Sequence, residues 1–338
     1  MFKLQVTKRS KLWWSISAGL LLASFVAMGI CFSQFGAPLR LGLDFLGGTR
    51  LQLELACGDG NNQPEVCRQP IDINVVRAVL ADRDLDGASA QLLDRSSQAQ
   101  DRHIVAIRSQ DLSAEQRSQL VSALEEKVGE FDPAATHIDT VGPVLGQQIL
   151  TSGILAIALA LAGIIAYLSV RFQFDYAIFA IIALFHDVLI TAGAFAWLGW
   201  LGEVEVDTLF VVALLTIIGF SVNDTVVIYD RIRETLRIRE VASVEEAVDL
   251  AVDETLPRSI NTTVSPLLAV VAIFLFGGST LRFFSLALII GFLAGAYSSI
   301  FVASTLLSLW RKRTGFFPQV ERAEEAIAEG EMEQALQY

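Results

Sequence analysis

Apolar residues in this chain gather into long blocks, broken by polar stretches of very unequal length. The runs at residues 12–32, 149–170, 176–198, 208–229, 260–276 and 283–310 approach or exceed the roughly 18–20 residues needed to cross about 30 Å of hydrocarbon. The pattern therefore predicts six transmembrane helices. The first run is too long for the apolar centre of a cleaved leader, and no clear small-residue cleavage site precedes Gln34, so it reads as a span.

The longest polar block, residues 36–148, has its own periodicity. Residues 50–55 read R-L-Q-L-E-L, the alternation of a half-buried strand. Ile73, Val76, Val79 and Leu80 recur at helical spacing. Residues 88–94 and 103–107 read as strands around the polar turn S-S-Q-A-Q-D. Ser113 opens S-A-E-Q, a capping-box pattern before Leu120, Val121, Leu124 and Val128, and residues 136–141 supply a last strand. The order β-α-β-β-α-β is the split, ferredoxin-like arrangement. The expected fold class is thus an α-helical membrane protein of six transmembrane helices, with an α+β domain inserted between helices 1 and 2. Residues 1–35 hold the N-terminus and helix 1, and 36–148 the extracytoplasmic domain. Residues 149–310 form a five-helix bundle with an amphipathic cytoplasmic helix near 243–255, and 311–338 an acidic cytoplasmic tail.

Composition supports a membrane class: 53% of residues are hydrophobic and 18% charged, against about 25% charged in soluble domains. Lys3, Lys8, Arg9 and Lys11 precede the first span, and Arg311, Lys312 and Arg313 follow the last. Arg231, Arg233, Arg237, Arg239 and Arg258 lie between spans four and five, whereas the loops on the other side contain only Arg282. The positive-inside rule then places both termini in the cytoplasm and the 36–148 block outside. The net charge of −12 comes mainly from that block and the Glu-rich tail, which argues against a nucleic-acid partner. Cys31 reads as a packed residue at the end of span one. Cys57 and Cys67, in the extracytoplasmic block, are permitted a disulfide by compartment and spacing; two free thiols in a loop is the alternative.

Candidate chemistry centres on span four, T-L-F-V-V-A-L-L-T-I-I-G-F-S-V-N-D-T-V-V-I-Y. An ionised Asp in a bilayer costs from roughly 3 to more than 10 kcal/mol, so Asp224 needs a protein-lined setting and a partner. The sequence offers Arg258, placed by L-P-R at the expected start of span five, at similar depth. The two could form a proton relay or a static ion pair, and Arg258 could instead snorkel to the headgroups. His186 and Asp187 lie mid-span, where either could carry protons or bond neighbouring helices. Thr216, Gly219 and Asn223 share one face of span four, which reads as helix packing. After span one, Asp44, Gly47 and Gly48 in L-D-F-L-G-G-T read as a tight structural turn. No H-E-x-x-H, G-x-S-x-G or Walker pattern is present, and no clustered metal ligands accompany His103 or His137, which excludes the corresponding enzyme classes.

Taken in order, these motifs resemble one family. L-G-L-D-F-L-G-G-T, V-G-P-V-L-G, A-L-F-H-D-V-L-I-T, S-V-N-D-T-V-V-I-Y-D-R-I-R-E and P-R-S-I-N-T-T look like SecF, the smaller half of the SecDF accessory complex of the Sec translocase, related to resistance-nodulation-division transporters. The resemblance runs from about Lys8 to Arg313. It implies a subunit that pairs with SecD and associates with the SecYEG channel. With SecD it would use the proton-motive force to complete export of unfolded preprotein after SecA has acted, in a bacterial inner membrane or an internal membrane such as the thylakoid. SecA, YajC, YidC and membrane lipid are the further partners implied. Protons are the coupling ion, and no cofactor or enzymatic activity is implied. Carried over, Asp224 and Arg258 match positions tied to proton passage, and Asn223, Thr225 and His186 belong to the span motifs; Asp187, by its depth alone, is a lesser candidate for the relay. Tyr229 stands where Phe is common in the family.

Overall fold

In a computed structural model, residues 4–57, 71–85, 87–94, 103–239 and 241–315 are described. The acidic tail beyond residue 315, the S-S-Q-A-Q-D turn and Cys67 lie outside them. The chain divides into two compact units, Leu41–Gly153 and a second formed by Met1–Arg40 with Ile154–Tyr338.

The first unit holds a four-stranded antiparallel sheet of order β2-β3-β1-β4, with β1 at Gly48–Glu54, β2 at Ser89–Asp94, β3 at His103–Ser109 and β4 at His137–Val141. This is the βαββαβ order the sequence predicts. The register sets Leu51 opposite Ile107 on one side and Ile138 on the other. Because side chains alternate faces along a strand, Leu51 and Leu53 go inward while Arg50 is exposed. Their face packs on α3 (Ile73–Ala81) and α4 (Ala114–Val128) through Val76, Leu80, Leu120 and Leu124. Ser113 caps α4 with a complete capping box: its Oγ accepts from the Gln116 amide at 3.2 Å, and the Gln116 side chain accepts from the Ser113 amide at 2.9 Å. Cys57 is disulfide-bonded and packs beside this core.

The second unit is helical, and it takes the helix Pro143–Arg171 from Ile154 onward. The helices α1 (Ser10–Phe35), α5 (Pro143–Arg171), α6 (Phe174–Gly202), α7 (Thr208–Ile238), α8 (Val244–Phe276) and α9 (Gly278–Tyr297) are followed by a π-helical stretch, Ser298–Ala303, and by α10 (Ser304–Thr314). Among the described residues six helices are long and apolar enough to cross a membrane, the last formed by α9, the π-helical stretch and α10 together. α1 approaches α6 closely enough that a Cβ on Gly193 would lie 2.1 Å from the Ser24 side chain. Cys31 is a free, buried thiol that donates to the Ala196 carbonyl at 3.3 Å.

One expectation is corrected here. Residues 243–255 and span five are one uninterrupted helix, α8, and Pro257 lies in its interior instead of its first turn. The reason is burial. Val244, Ala247, Val248, Ala251 and Val252 are inside the core with Tyr229, Ile232 and Leu236 of α7. Ser243 caps the helix by accepting from Glu246. That packing carries the helix through a proline that costs roughly 3 kcal/mol in a helix interior. The same stretch caps the chain's N-terminal segment: Thr7 donates through its amide and hydroxyl to Asp249 at 3.0 and 2.8 Å, and the Leu4 amide donates to Asp253 at 2.9 Å.

Candidate functional site

Asp224 sits in the middle of α7 and is only 2% exposed. Its carboxyl faces α8. Oδ1 accepts from the Thr262 hydroxyl at 3.2 Å and Oδ2 from the Thr263 hydroxyl at 3.4 Å. Each hydroxyl has a nearer competitor on its own helix: Thr262 reaches the Arg258 and Ser259 carbonyls at 3.0 Å, and Thr263 reaches the Ser259 carbonyl at 2.8 Å. A threonine has a single hydroxyl proton. When it goes to the backbone, the threonine oxygen is left as an acceptor, and a protonated Asp224 can donate to it. The pocket therefore suits both protonation states, which a rigid ion pair would not.

The Asp224–Arg258 pair expected from the sequence is not formed. Among the described residues no ion pair joins them, and Arg258 is exposed one helical turn before Thr262. The carboxylate meets the threonines, and the guanidinium is exposed. Thr216, Gly219 and Asn223, read from the sequence as a packing face, are exposed on α7; Asn261 and Ser265 are exposed on α8. Among the described residues nothing covers these polar positions.

A second constellation lies further round α7, where Ser221 and Thr225 flank Asp224 in sequence. Asp187 is fully buried on α6. Its Oδ1 is 2.9 Å from His186 Nδ1, and its Oδ2 accepts from Ser221 of α7 at 2.6 Å and from Ser298 at 2.7 Å. Thr225 and Ser299 share a hydroxyl contact at 2.8 Å, and Tyr229 donates to the Ala303 carbonyl at 3.2 Å. Ser221, Thr225 and Tyr229 recur every fourth residue along α7, so they form one stripe lying along the π-helical stretch. Thr262, Thr263, Ser298 and Ser299 were not singled out by sequence reasoning. Thr262 and Thr263 close the P-R-S-I-N-T-T motif, and the signal for Ser298 and Ser299 was a pair of hydroxyls inside an apolar span.

In the extramembrane unit, α2 (Leu43–Leu46) is a single helical turn with Asp44 half-buried in it. Gly47 and Gly48 follow with φ of 72° and 124°. A Cβ on Gly47 would lie 2.7 Å from Pro143 Cα, and one on Gly48 would lie 2.4 Å from the Ser109 carbonyl oxygen. Among the described residues no cluster of three or more His, Cys, Asp or Glu could hold a metal ion.

Fold and site together define a multi-pass helical membrane protein with one inserted ferredoxin-like domain and ionisable groups buried between its spans. Residues 120–313 match the family model "Protein export membrane protein SecD/SecF, C-terminal", and residues 32–58 match the SecD/SecF GG motif. The protein translocase subunit SecF of a Synechocystis species is 53% identical over 310 residues, covering 92% of this chain and 95% of that protein. The SecF of Prochlorococcus marinus is 38% identical over 89% of this chain and 93% of its own length. Crystal structures of SecDF are similar as well. That of the translocon-associated membrane protein from Thermus thermophilus matches with a TM-score of 0.73 and 28% identity over 90% of this chain. A super-membrane-facing form matches with a TM-score of 0.61 and 26% identity over 96%. The chain spans 38% and 40% of those two SecDF chains. The chain belongs to the SecF family of protein export membrane proteins.

Proposed function

We propose that this chain is the SecF-type subunit of a Sec preprotein translocase, and that it works with SecD to turn proton flow into completion of export. The observation that carries the coupling is the Asp224 pocket. It offers a buried carboxyl whose two threonine partners can act as donors or acceptors, with the exposed Arg258 guanidinium, in no ion pair among the described residues, one turn before Thr262. Protonation lets Asp224 rest on the threonines. Loss of that proton leaves a carboxylate that draws Arg258 inward, and the exchange of partners changes how α7 and α8 sit together.

SecD is the partner for the open α7–α8 stripe. Asn223, Asn261 and Arg258 would be costly against lipid, and a second membrane subunit removes that cost. The SecYEG channel, SecA, YajC and YidC are the wider assembly in this reading, with unfolded preprotein as cargo and an inner or thylakoid-type membrane as host. Mild-detergent purification should recover SecD with the chain, and substituting Asn223 and Asn261 by Leu should weaken that recovery. Equal recovery would place SecD on another face.

Both termini lie in the cytoplasm and the sheet domain outside in this reading, argued from the basic flanks. In a background with the native cysteines replaced, Ser118→Cys should react with a membrane-impermeant thiol reagent added to intact cells. Ala242→Cys should react only after the membrane is opened. Labelling of position 242 in intact cells would invert the topology.

The partner of Cys57 is Cys67 in the same reading, closing a loop of about ten residues that stabilises the outer domain by roughly 2–3 kcal/mol on the chain-entropy model. The purified protein should then lack alkylatable thiols at both positions until reduced, and its outer domain should resist protease less well after reduction. Free thiols at both positions in the oxidised protein would dismiss the bridge.

A further inference from the structure

We propose that His186 and Asp187 form a second proton-binding site, buried within this chain's own bundle and separate from Asp224. Its proton is linked to the grip of α6 and α7 on the π-helical start of the last span. The argument begins with an imbalance. The Asp187 side chain accepts from Ser221 and Ser298 and lies against His186 Nδ1, so both its oxygens have partners. The other ring nitrogen, His186 Nε2, is buried with no hydrogen-bond partner among the described residues. With Nδ1–H donating to a carboxylate, Nε2 is a bare acceptor and the pair carries one negative charge at mid-span.

Among the described residues no other charged side chain offsets that charge. The groups facing the pair are the hydroxyls of Ser221 on α7 and Ser298 on the π-helical stretch, the Gly295 backbone on α9, and the Tyr297 ring stacked 6.2 Å from the imidazole. Tyr297 directs its own hydroxyl to the Trp13 carbonyl of α1. One proton taken from water corrects the imbalance. It binds Nε2, the Nδ1 proton stays on the nitrogen or passes to Asp187 Oδ1, and the pair becomes net neutral. Only an N–H or O–H bond forms and breaks.

The link to the last span follows from the acceptor. A hydroxyl donating to a carboxylate favours the ionised form, so compensating the Asp187 charge, by an adjacent imidazolium or by a proton of its own, weakens its hold on Ser298 and Ser221. Ser298 is the first residue of the π-helical stretch, and such stretches inside α-helices frequently mark functional positions. Linkage is reciprocal: if the proton loosens Ser298, removing the Ser298 hydroxyl must tighten proton binding.

The chain has three histidines, and His186 alone lies in a span. With His103→Gln and His137→Gln as background, nitrogen-15 histidine resonances of the full-length protein in lipid nanodiscs report one imidazole. Between about pH 5 and 9 that imidazole should change its protonation pattern, and Asp187→Asn should abolish the change or displace it by at least one pH unit. Ser298→Ala, which keeps both titrating groups, should raise the midpoint by roughly half to one pH unit. Asp224→Asn keeps His186, Asp187, Ser221 and Ser298 in place, so the imidazole should still change its protonation pattern in that variant. An imidazole unchanged across that range overturns the site. A titration indifferent to Ser298→Ala overturns the link to the last span, whatever Asp224→Asn does to export.

Discussion

Asp224→Asn is expected to leave the protein folded and inserted while reducing proton-gradient stimulation of export to the level seen without a gradient. Asn is close in shape, and its amide oxygen can accept from Thr262 or Thr263 as the carboxyl oxygens do. Stability should therefore change by about 1 kcal/mol or less, the usual net worth of one hydrogen bond. An amide has no proton to exchange at neutral pH and no charge with which to draw Arg258 inward. Inverted vesicles carrying SecD and the channel, compared with and without a proton gradient, provide the measurement. Normal ATP-driven entry of preprotein serves as the internal control. Gradient stimulation undiminished by Asp224→Asn would reduce the carboxyl to a packing element. Arg258→Ala tests the other half of the exchange. It should lower stimulation while leaving the Thr262 and Thr263 contacts in place, because Arg258 is exposed and outside the pocket.

The features legible in the sequence were those whose cause is local. R-L-Q-L-E-L could only place its leucines on one face of a strand, and S-A-E-Q could only cap a helix. Both appear in the inserted domain as the periodicity requires. Asp224 was legible as a site because a carboxylate in an apolar run needs a reason to be there. Its partners were not legible. Whether Asp224 meets Arg258 or the threonines one turn on depends on the rotation of α8 about its axis. That rotation is fixed by Val244, Ala247, Ala251 and Val252 packing below the site. The same burial explains the misjudged start of span five, where a proline preference was outweighed by a well-packed stripe on either side of it. The π-helical stretch S-S-I-F-V-A carries no breaker residue. It becomes visible only once Ser298, Ser299 and the Ala303 carbonyl are seen to engage α6 and α7.

Gly48→Ala is expected to unfold the inserted domain selectively, with a cost of about 3 kcal/mol or more. The backbone there has a φ of 124°, a conformation nearly closed to residues with a Cβ, and such strain alone costs roughly 1–3 kcal/mol. The added methyl would also lie 2.4 Å from the Ser109 carbonyl oxygen. That oxygen cannot move aside, because Ser109 ends β3 opposite Thr49 in the central strand pair. Thr49 is itself buried, its hydroxyl accepting from the Leu112 amide at 3.0 Å. Relieving the clash therefore means breaking the ladder that holds Leu51 and Leu53 in the core. Gly142→Ala is the matched control, since a Cβ there meets nothing within 4 Å, and it should shift stability by no more than about 0.5 kcal/mol. Protease resistance of the full-length chain against temperature separates the two. Cleavage within residues 41–153 should begin at a much lower temperature in Gly48→Ala, while the spans stay protected. If both variants melt together with the parent, the glycine is dispensable at that position, and the close approach of β1 to the Ser109 carbonyl does not limit the fold.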